Sequence, residues 1–208
     1  MLEEFEASDV GMIVHRFVNL SHESEFLRNK KTLSDKQVLR VLAVRGRRLS
    51  VNLAKASFRP KKWLDGMFAL PTRFSDGSWP TFYAALSEET ARKESGHHHA
   101  RAAVKAGEDA MPVYYSRIVC KFMGSHINLW PKLGTWDLIS DDYGFCQQLG
   151  QEARERKLGA FWTPSARDRP DGSNIPTFRE GTISDVVVTG TARFSYDKAI
   201  ETFVVTMV

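Results

Sequence analysis

The chain has 208 residues, a hydrophobic fraction of 42% and a formal net charge of +4. Its 13 Phe, 5 Trp and 5 Tyr favour one globular domain over residues 1–208 with a substantial core. No apolar run approaches the roughly 20 residues of a membrane helix, so no membrane partner is expected. The acidic start MLEEFEASDV lacks the basic-then-apolar order of a signal peptide, which predicts a cytoplasmic protein.

The first predicted strand is GMIVHRFV at residues 11–18, with Arg16 inside it. If Arg16 points inward at a strand end it can meet a phosphate group, whereas an outward Arg16 is only solvated. Apolar spacing then predicts helices at 34–44 and 49–57. We therefore expect a helical insertion or subdomain over residues 19–69.

Three basic clusters fall within that segment. A basic stripe of this kind can hold nucleic acid, a phosphate-bearing ligand or an acidic partner protein, and it can equally be a solvated face. The clusters are RNKK at 28–31, RGRR at 45–48 and RPKK at 59–62.

Residues 70–100 concentrate the candidate chemistry. Arg73 lies in a proline-containing loop, and the aromatic run from Phe82 to Leu86 has the composition and length of a strand. Ser87 is a plausible N-cap, so a helix is expected to begin near it. Glu94 and His98 would then lie one turn apart on the same helix face. Arg, Tyr and Glu side chains aimed at one end of a sheet suit an anionic, aromatic ligand.

The run His97-His98-His99 does not predict a metal site. Consecutive helical residues point about 100° apart and cannot all bind one ion, and no HExxH spacing is present. We expect His98 to orient Glu94 or the substrate, and His97 and His99 to be solvated.

The second half alternates strands with one clear helix. DDYGFCQQLGQEARERKLG has acidic residues at its start, basic residues near its end and Gly159 as its expected stop. The two cysteines, Cys120 and Cys146, form no CxxC motif and are expected to be buried. This order predicts an α+β domain with a mixed, largely antiparallel twisted sheet and flanking helices. The expected strands are 112–122, 160–163, 174–178, 186–196 and 203–208.

The order of these motifs resembles the RES domain family. The resemblance is carried by TRF at 72–74, PTFYAA at 80–85, Ala-x-x-Glu-x-x-x-His at 91–98, Ser-x-Arg at 165–167 and Gly-x-Asn-x-x-x-Phe at 172–178. It covers about residues 71–178. It implies a core similar to ADP-ribosyltransferases and a bacterial toxin that breaks down NAD+ by hydrolysis or phosphorolysis, or transfers its ADP-ribose to a protein.

The resemblance also implies site residues and partners. The catalytic residues would be Glu94, Arg73 and Ser165. NAD+ would be a substrate, with no further cofactor, and the partners would be an Xre-like helix-turn-helix antitoxin and, for transfer, a protein target. The remaining binding residues would be Tyr83, Arg16, Arg167, His98 and Asn174.

The chemistry explains these residue types. Cleaving the nicotinamide–ribose bond passes through an oxocarbenium-like state, which a carboxylate such as Glu94 stabilises. Guanidinium groups such as Arg73 bind pyrophosphate oxygens bidentately, and a Tyr83 ring can stack on nicotinamide. Two alternatives remain open: a nucleic-acid-binding module that uses the basic clusters, and an NAD-binding domain without turnover.

Overall fold

The computed structural model describes residues 1–19, 71–106, 112–197, 199 and 202–207. The helices expected at 34–44 and 49–57, the insertion expected at 19–69 and the three basic clusters therefore lie outside the described residues, apart from Asn19.

The described residues form seven strands and two α-helices, and two short 3₁₀ turns lie at Trp130–Lys132 and Glu180–Thr182. The helices are α1 (Glu88–Ala106) and α2 (Gly144–Glu155). The strands are β1 (Ser8–Asn19), β2 (Phe82–Ala85), β3 (Val113–Asn128), β4 (Ala160–Pro164), β5 (Ser173–Thr177), β6 (Ile183–Asp197) and β7 (Thr202–Met207).

The strands form one sheet in the order β1-β2-β5-β4-β3-β6-β7, and β1 also pairs with β3. Because β1 contacts both β2 and β3, the five strands β1, β2, β5, β4 and β3 close into a ring. Among the described strands only β3 and β4 run parallel, and the other pairs are antiparallel. The predicted α+β class with a mixed, largely antiparallel sheet is confirmed.

Strand β3 connects the ring to the rest of the sheet. Residues Tyr115–His126 of this strand pair with all twelve residues of β1, while nine of its first ten residues also pair with β6 on the opposite side. Two register shifts near Ile118 and Lys121 interrupt the β6 pairing, and irregularities of this kind bend a strand. The bend lets one long strand serve both the ring and the β6–β7 extension.

Three apolar clusters fill the spaces around the sheet. One lies within the ring and includes Val14, Ile118 and Cys120. A second joins α2 to the sheet through residues such as Cys146, so both cysteines are buried, as predicted. The third lies beneath α1, where Ala91 contacts a cluster that contains Phe17, Tyr115 and Phe194.

The start of α1 follows the sequence prediction, but the end of α2 does not. Ser87 Oγ accepts the Thr90 backbone N–H at 3.0 Å, which is the expected N-cap. The predicted stop at Gly159 is wrong: α2 ends at Glu155, and Lys157 takes the left-handed conformation with φ of 58°. Gly159 instead allows close packing, because a Cβ there would lie 2.7 Å from the Ser125 carbonyl oxygen. Among the described residues, no helix is long and apolar enough to cross a membrane.

Helix α2 approaches the loop that carries Arg73 so closely that Gly150 tolerates no side chain. A Cβ at Gly150 would lie 2.0 Å from the Phe74 carbonyl oxygen, whereas a Cβ at Gly181 would meet nothing within 4 Å. We expect Gly150→Ala to lower the free energy of unfolding by about 1–3 kcal/mol because the backbones must separate. Gly181→Ala should change it by less than about 0.5 kcal/mol. Denaturant titration of both variants checks this, and equal stabilities would contradict the close approach.

Candidate active site

A cavity of about 410 Å³ opens where β1, β2 and α1 meet, within the range of roughly 300–1,000 Å³ typical of ligand pockets. It is lined by residues from five parts of the chain that are distant in sequence. They are His15, Arg16, Phe17, Pro71, Thr72, Arg73, Tyr83, Ala84, Ala85, Ala91, Glu94, Ser95, His98, Tyr115, Tyr143 and Asn174.

The Glu94 carboxylate is held by two donors that share one of its oxygens. Glu94 Oε1 accepts a hydrogen bond from Ser165 Oγ at 2.6 Å and another from Asn174 Nδ2 at 2.7 Å. The two donors are 2% and 1% exposed. Hydrogen bonds to an ionised acceptor are stronger than those between neutral groups, so the carboxylate has a fixed orientation. Both donors leave Oε2 available to a ligand.

Ser165 orients Glu94 from outside the cavity. Its Oγ accepts the backbone N–H groups of Arg167 and Asp168, each at 3.1 Å. Because the oxygen already accepts two hydrogen bonds, the hydroxyl proton is directed to Glu94. Ser165 is not among the cavity-lining residues. This geometry lets the Ser165 hydroxyl fix the orientation of the Glu94 carboxylate.

Asn174 and Tyr83 form a polar wall beside Glu94. Strand pairing places Asn174 in β5 opposite Ala85 in β2, and Asn174 Nδ2 also lies 3.4 Å from Tyr83 Oη. Burial and the negative charge of Glu94 raise the pKa of Tyr83 above its ordinary value, so its hydroxyl stays protonated and can donate. Asn174 Oδ1 is buried and has no hydrogen-bond partner among the described residues.

Two guanidinium groups line the same cavity. Arg73 is 6% exposed, donates from Nη1 to the Ser140 carbonyl oxygen and lies 4.7 Å from the centre of the Tyr143 ring. Arg16 lies 4.5 Å from the centre of the Phe82 ring, and its buried Nη1 has no partner among the described residues. Burial lowers the pKa of Arg16 to about 10, which leaves it charged at neutral pH. Two such cations suit an anionic ligand.

His98 lines the cavity, whereas Arg167 does not. Protein packed around the His98 ring lowers its pKa, the charge of Glu94 opposes this shift and the charge of Arg167 adds to it. His98 is therefore neutral at pH 7, although it is exposed at the rim. The Arg167 guanidinium donates a hydrogen bond to Asp141 Oδ1. The structure thus brings together six of the eight predicted site residues in the cavity wall and places Ser165 and Arg167 behind or beside it.

Most of the chain matches a known family of domains. The family model described as RES domain matches residues 47–197. The chain belongs to the RES domain family. No curated protein matches its sequence.

The fold of this RES domain is similar to that of a solved structure, "Crystal structure of the M. tuberculosis MbcT-MbcA toxin-antitoxin complex". The alignment covers 94% of this chain and 89% of that chain, with a TM-score of 0.52 and 13% sequence identity. At this identity the likeness shows a shared fold. The family model extends beyond the motifs at 71–178 in both directions.

Two histidines of the RES domain are not where the sequence predicted. His97 and His99 were expected to be solvated, and this is wrong: His99 is 6% exposed and its ring centre lies 6.2 Å from that of Phe194. His97 is half-buried, and its Nε2 atom is buried. The burial of His99 follows from the packing of α1 against β6 and β7, where a Cβ at Gly96 would lie 2.1 Å from Phe203.

The sequence also missed four residues of the cavity wall: His15, Phe17, Tyr115 and Tyr143. Phe17 and Tyr115 belong to strands whose apolar character predicts only core packing. Tyr143 precedes α2 and stacks with Arg73, a contact that no local pattern reveals. The adjacency of His15 to Arg16 offered a weak signal. Among the described residues, no group of three or more His, Cys, Asp or Glu side chains is arranged to hold a metal ion.

The packing around His97 predicts that this histidine destabilises the folded protein at low pH. Burial and the nearby charge of Arg167 lower the pKa of His97 from 6.5 to about 4. The unfolded chain therefore binds more protons between these two values, and His97 should make the folded state less stable as the pH falls from 6.5 towards 4. NMR titration of the His97 ring should give a midpoint well below 6.5. The variant His97→Gln should show a smaller loss of stability between pH 7 and pH 4.5, and an ordinary midpoint would contradict the prediction.

Proposed function

We propose that this RES domain is a toxin that consumes NAD+ by cleaving the bond between nicotinamide and ribose. The observation that carries the proposal is the Glu94 carboxylate, fixed by Ser165 and Asn174 in the wall of a cavity that Arg16 and Arg73 also line. A fixed negative charge and two cations in one cavity match a substrate with a cationic pyridinium–ribose bond and an anionic pyrophosphate.

The reaction breaks one bond and forms one. The C1′–N1 bond breaks, its electron pair leaves with nicotinamide, and the ribose carbon becomes positively charged. In hydrolysis a water oxygen then bonds to C1′ and releases a proton, which gives ADP-ribose, nicotinamide and H⁺. Glu94 Oε2 would stabilise the ribose cation or receive the proton of the nucleophile.

The cations would bind the other end of the substrate. Arg73 uses one donor for Ser140 and keeps further N–H groups for pyrophosphate oxygens, because a guanidinium has five donors. Arg16 would contribute its buried Nη1, which has no hydrogen-bond partner in the part of the chain that the structure describes. Tyr83 would stack on nicotinamide or donate from its hydroxyl, and His98 at the rim would contact the substrate or its acceptor.

Three acceptors are compatible with this site: water, inorganic phosphate and a protein side chain. The corresponding reactions are hydrolysis, phosphorolysis and ADP-ribosyl transfer, and only the last needs a protein target. A core similar to ADP-ribosyltransferases belongs to the same proposal. No additional cofactor is required, since NAD+ itself supplies the bond that breaks.

A cognate antitoxin is the expected protein partner. The M. tuberculosis structure with a similar fold is a toxin-antitoxin complex, which supports a partner of that kind, and we propose an Xre-like helix-turn-helix protein acting in the cytoplasm. The nucleic-acid alternative depends on the clusters at 28–31, 45–48 and 59–62, which lie outside the described residues. An NAD-binding domain without turnover is separated from the toxin by the experiment below.

Glu94→Gln keeps the size of the side chain and removes its charge. We expect it to lower the rate of NAD+ loss by at least about 100-fold, the range of a single charge-stabilising or proton-transferring group. The measurement is incubation of pure protein with NAD+, with and without phosphate, followed by identification of the products.

Glu155→Gln is the matched control, because Glu155 is exposed on α2 and hydrogen-bonds only to Gln151 among the described residues. Its rate should equal that of the unaltered chain. Parent-rate NAD+ loss by Glu94→Gln would place the site elsewhere, and binding without turnover by the unaltered chain would favour the non-catalytic domain.

Arg16→Met should weaken NAD+ binding without lowering the stability of the fold. Removing a cation whose buried Nη1 has no hydrogen-bond partner among the described residues relieves a desolvation cost, so the free energy of unfolding should stay the same or rise. Loss of the phosphate contact should weaken NAD+ binding by about 10-fold or more, the equivalent of roughly 1.4 kcal/mol. Calorimetric binding and thermal unfolding test both halves. Unchanged affinity together with lower stability would make Arg16 purely structural.

A further inference from the structure

The Asp168 carboxylate joins the loop after β4 to helix α1. Its Oδ2 accepts a hydrogen bond from Thr90 Oγ1 at 2.6 Å, and its Oδ1 accepts one from Lys93 Nζ at 2.6 Å. Thr90 is 1% exposed, and its contact with Asp168 is partly buried. Both oxygens of one loop residue are thus committed to the same helix.

The backbone of Asp168 is fixed as firmly as its side chain. Its N–H donates to Ser165 Oγ at 3.1 Å, and its carbonyl oxygen accepts the Gly172 N–H at 2.8 Å. A Cβ at Gly172 would lie 2.3 Å from that oxygen, so glycine is required for the loop to close on itself. Gly172 leads into β5, and the loop is therefore anchored to the sheet.

These contacts complete a cycle of hydrogen bonds around the candidate catalytic carboxylate. Asp168 N–H binds Ser165 Oγ, the Ser165 hydroxyl binds Glu94, and the Asp168 carboxylate binds Thr90. Thr90 and Glu94 are four residues apart on α1 and share a face one turn apart. A movement of the loop from Ser165 to Asp168 away from α1 would have to break the contacts of Asp168 with α1 as well.

We propose that Asp168 is a positioning residue, which holds the Ser165 hydroxyl on Glu94 Oε1 by tying the Ser165 loop to α1. The inference rests on the proposed function of Glu94. Asp168 does not line the cavity, so it acts on the substrate only through Ser165 and Glu94. The reaction requires the Glu94 carboxylate to be correctly placed relative to the ribose and the nucleophile. A displacement of a catalytic group by about 1 Å lowers the rate by up to roughly 100-fold.

The Asp168 carboxylate is ionised at neutral pH. Partial burial opposes ionisation, but the hydrogen bonds from Lys93 and Thr90 outweigh it and lower the pKa of Asp168 below its ordinary value. A neutral amide at this position would keep the shape while losing the charge that Lys93 contacts.

Asp168→Ala, Ser165→Ala and the double variant test the proposal in the full chain, with NAD+ as the substrate. Asp168→Ala should lower kcat by about 10-fold to 100-fold and change KM by less than about 3-fold, because Arg16 and Arg73 remain in place. The double variant should be no slower than Ser165→Ala alone, since both changes remove the same constraint. Amide hydrogen exchange at positions 167 and 168 should become faster in Asp168→Ala.

Asp171→Ala is the matched control, because Asp171 is an exposed residue of the same loop. Its kcat and its exchange rates should equal those of the unaltered chain. Lys93→Met keeps the test available if Asp168→Ala does not fold: it removes one donor at a part-exposed position and should lower kcat by about 3-fold or more.

Either of two kinetic results would overturn the inference. One is a kcat of Asp168→Ala within about twofold of the unaltered chain, and the other is a double variant whose loss equals the product of the two single losses. If the unaltered chain consumes no NAD+, the proposed function fails by itself. Hydrogen exchange then decides the positioning role alone, and unchanged exchange at positions 167 and 168 would overturn it.

Discussion

A single carboxylate oxygen, Glu94 Oε1, is where the architecture of this RES domain converges. It accepts hydrogen bonds from Ser165 at the end of β4 and from Asn174 in β5, while Glu94 itself belongs to α1. A carboxylate on a helix has several rotamers, and two buried donors select one of them. The orientation of the Glu94 carboxylate in the cavity wall therefore depends on the sheet and not on the helix alone.

The closed ring of strands explains how those donors reach the helix. Strand β2 leads through Ser87 into α1 and pairs with β5, so Asn174 lies beside Ala85 at the start of the helix. Strand β1 closes the ring and brings Arg16 to the same cavity. The buried Nη1 of Arg16 has no hydrogen-bond partner among the described residues, which costs the fold free energy that a bound anion would offset.

Local sequence patterns predicted the elements that have local causes. The cap at Ser87 and the aromatic run of β2 both depend on neighbouring residues. The convergence of Glu94, Ser165 and Asn174 came only from the resemblance to RES domains, since no periodicity relates residues so far apart. Burial of His99, the left-handed Lys157 and the place of Tyr115 in the cavity wall depend on how helices and strands pack, and one-dimensional patterns do not contain that information.

The separation in sequence of the groups that hold Glu94 has a consequence for protein synthesis. Glu94 lies 71 residues before Ser165 and 80 residues before Asn174. A nascent chain on the ribosome carries its carboxylate long before either donor has been translated, so the carboxylate has no fixed direction until β5 emerges and pairs with β2. A polypeptide interrupted before that point would lack the oriented carboxylate, and a cell that makes this protein would meet an assembled site only after β5 has been synthesised.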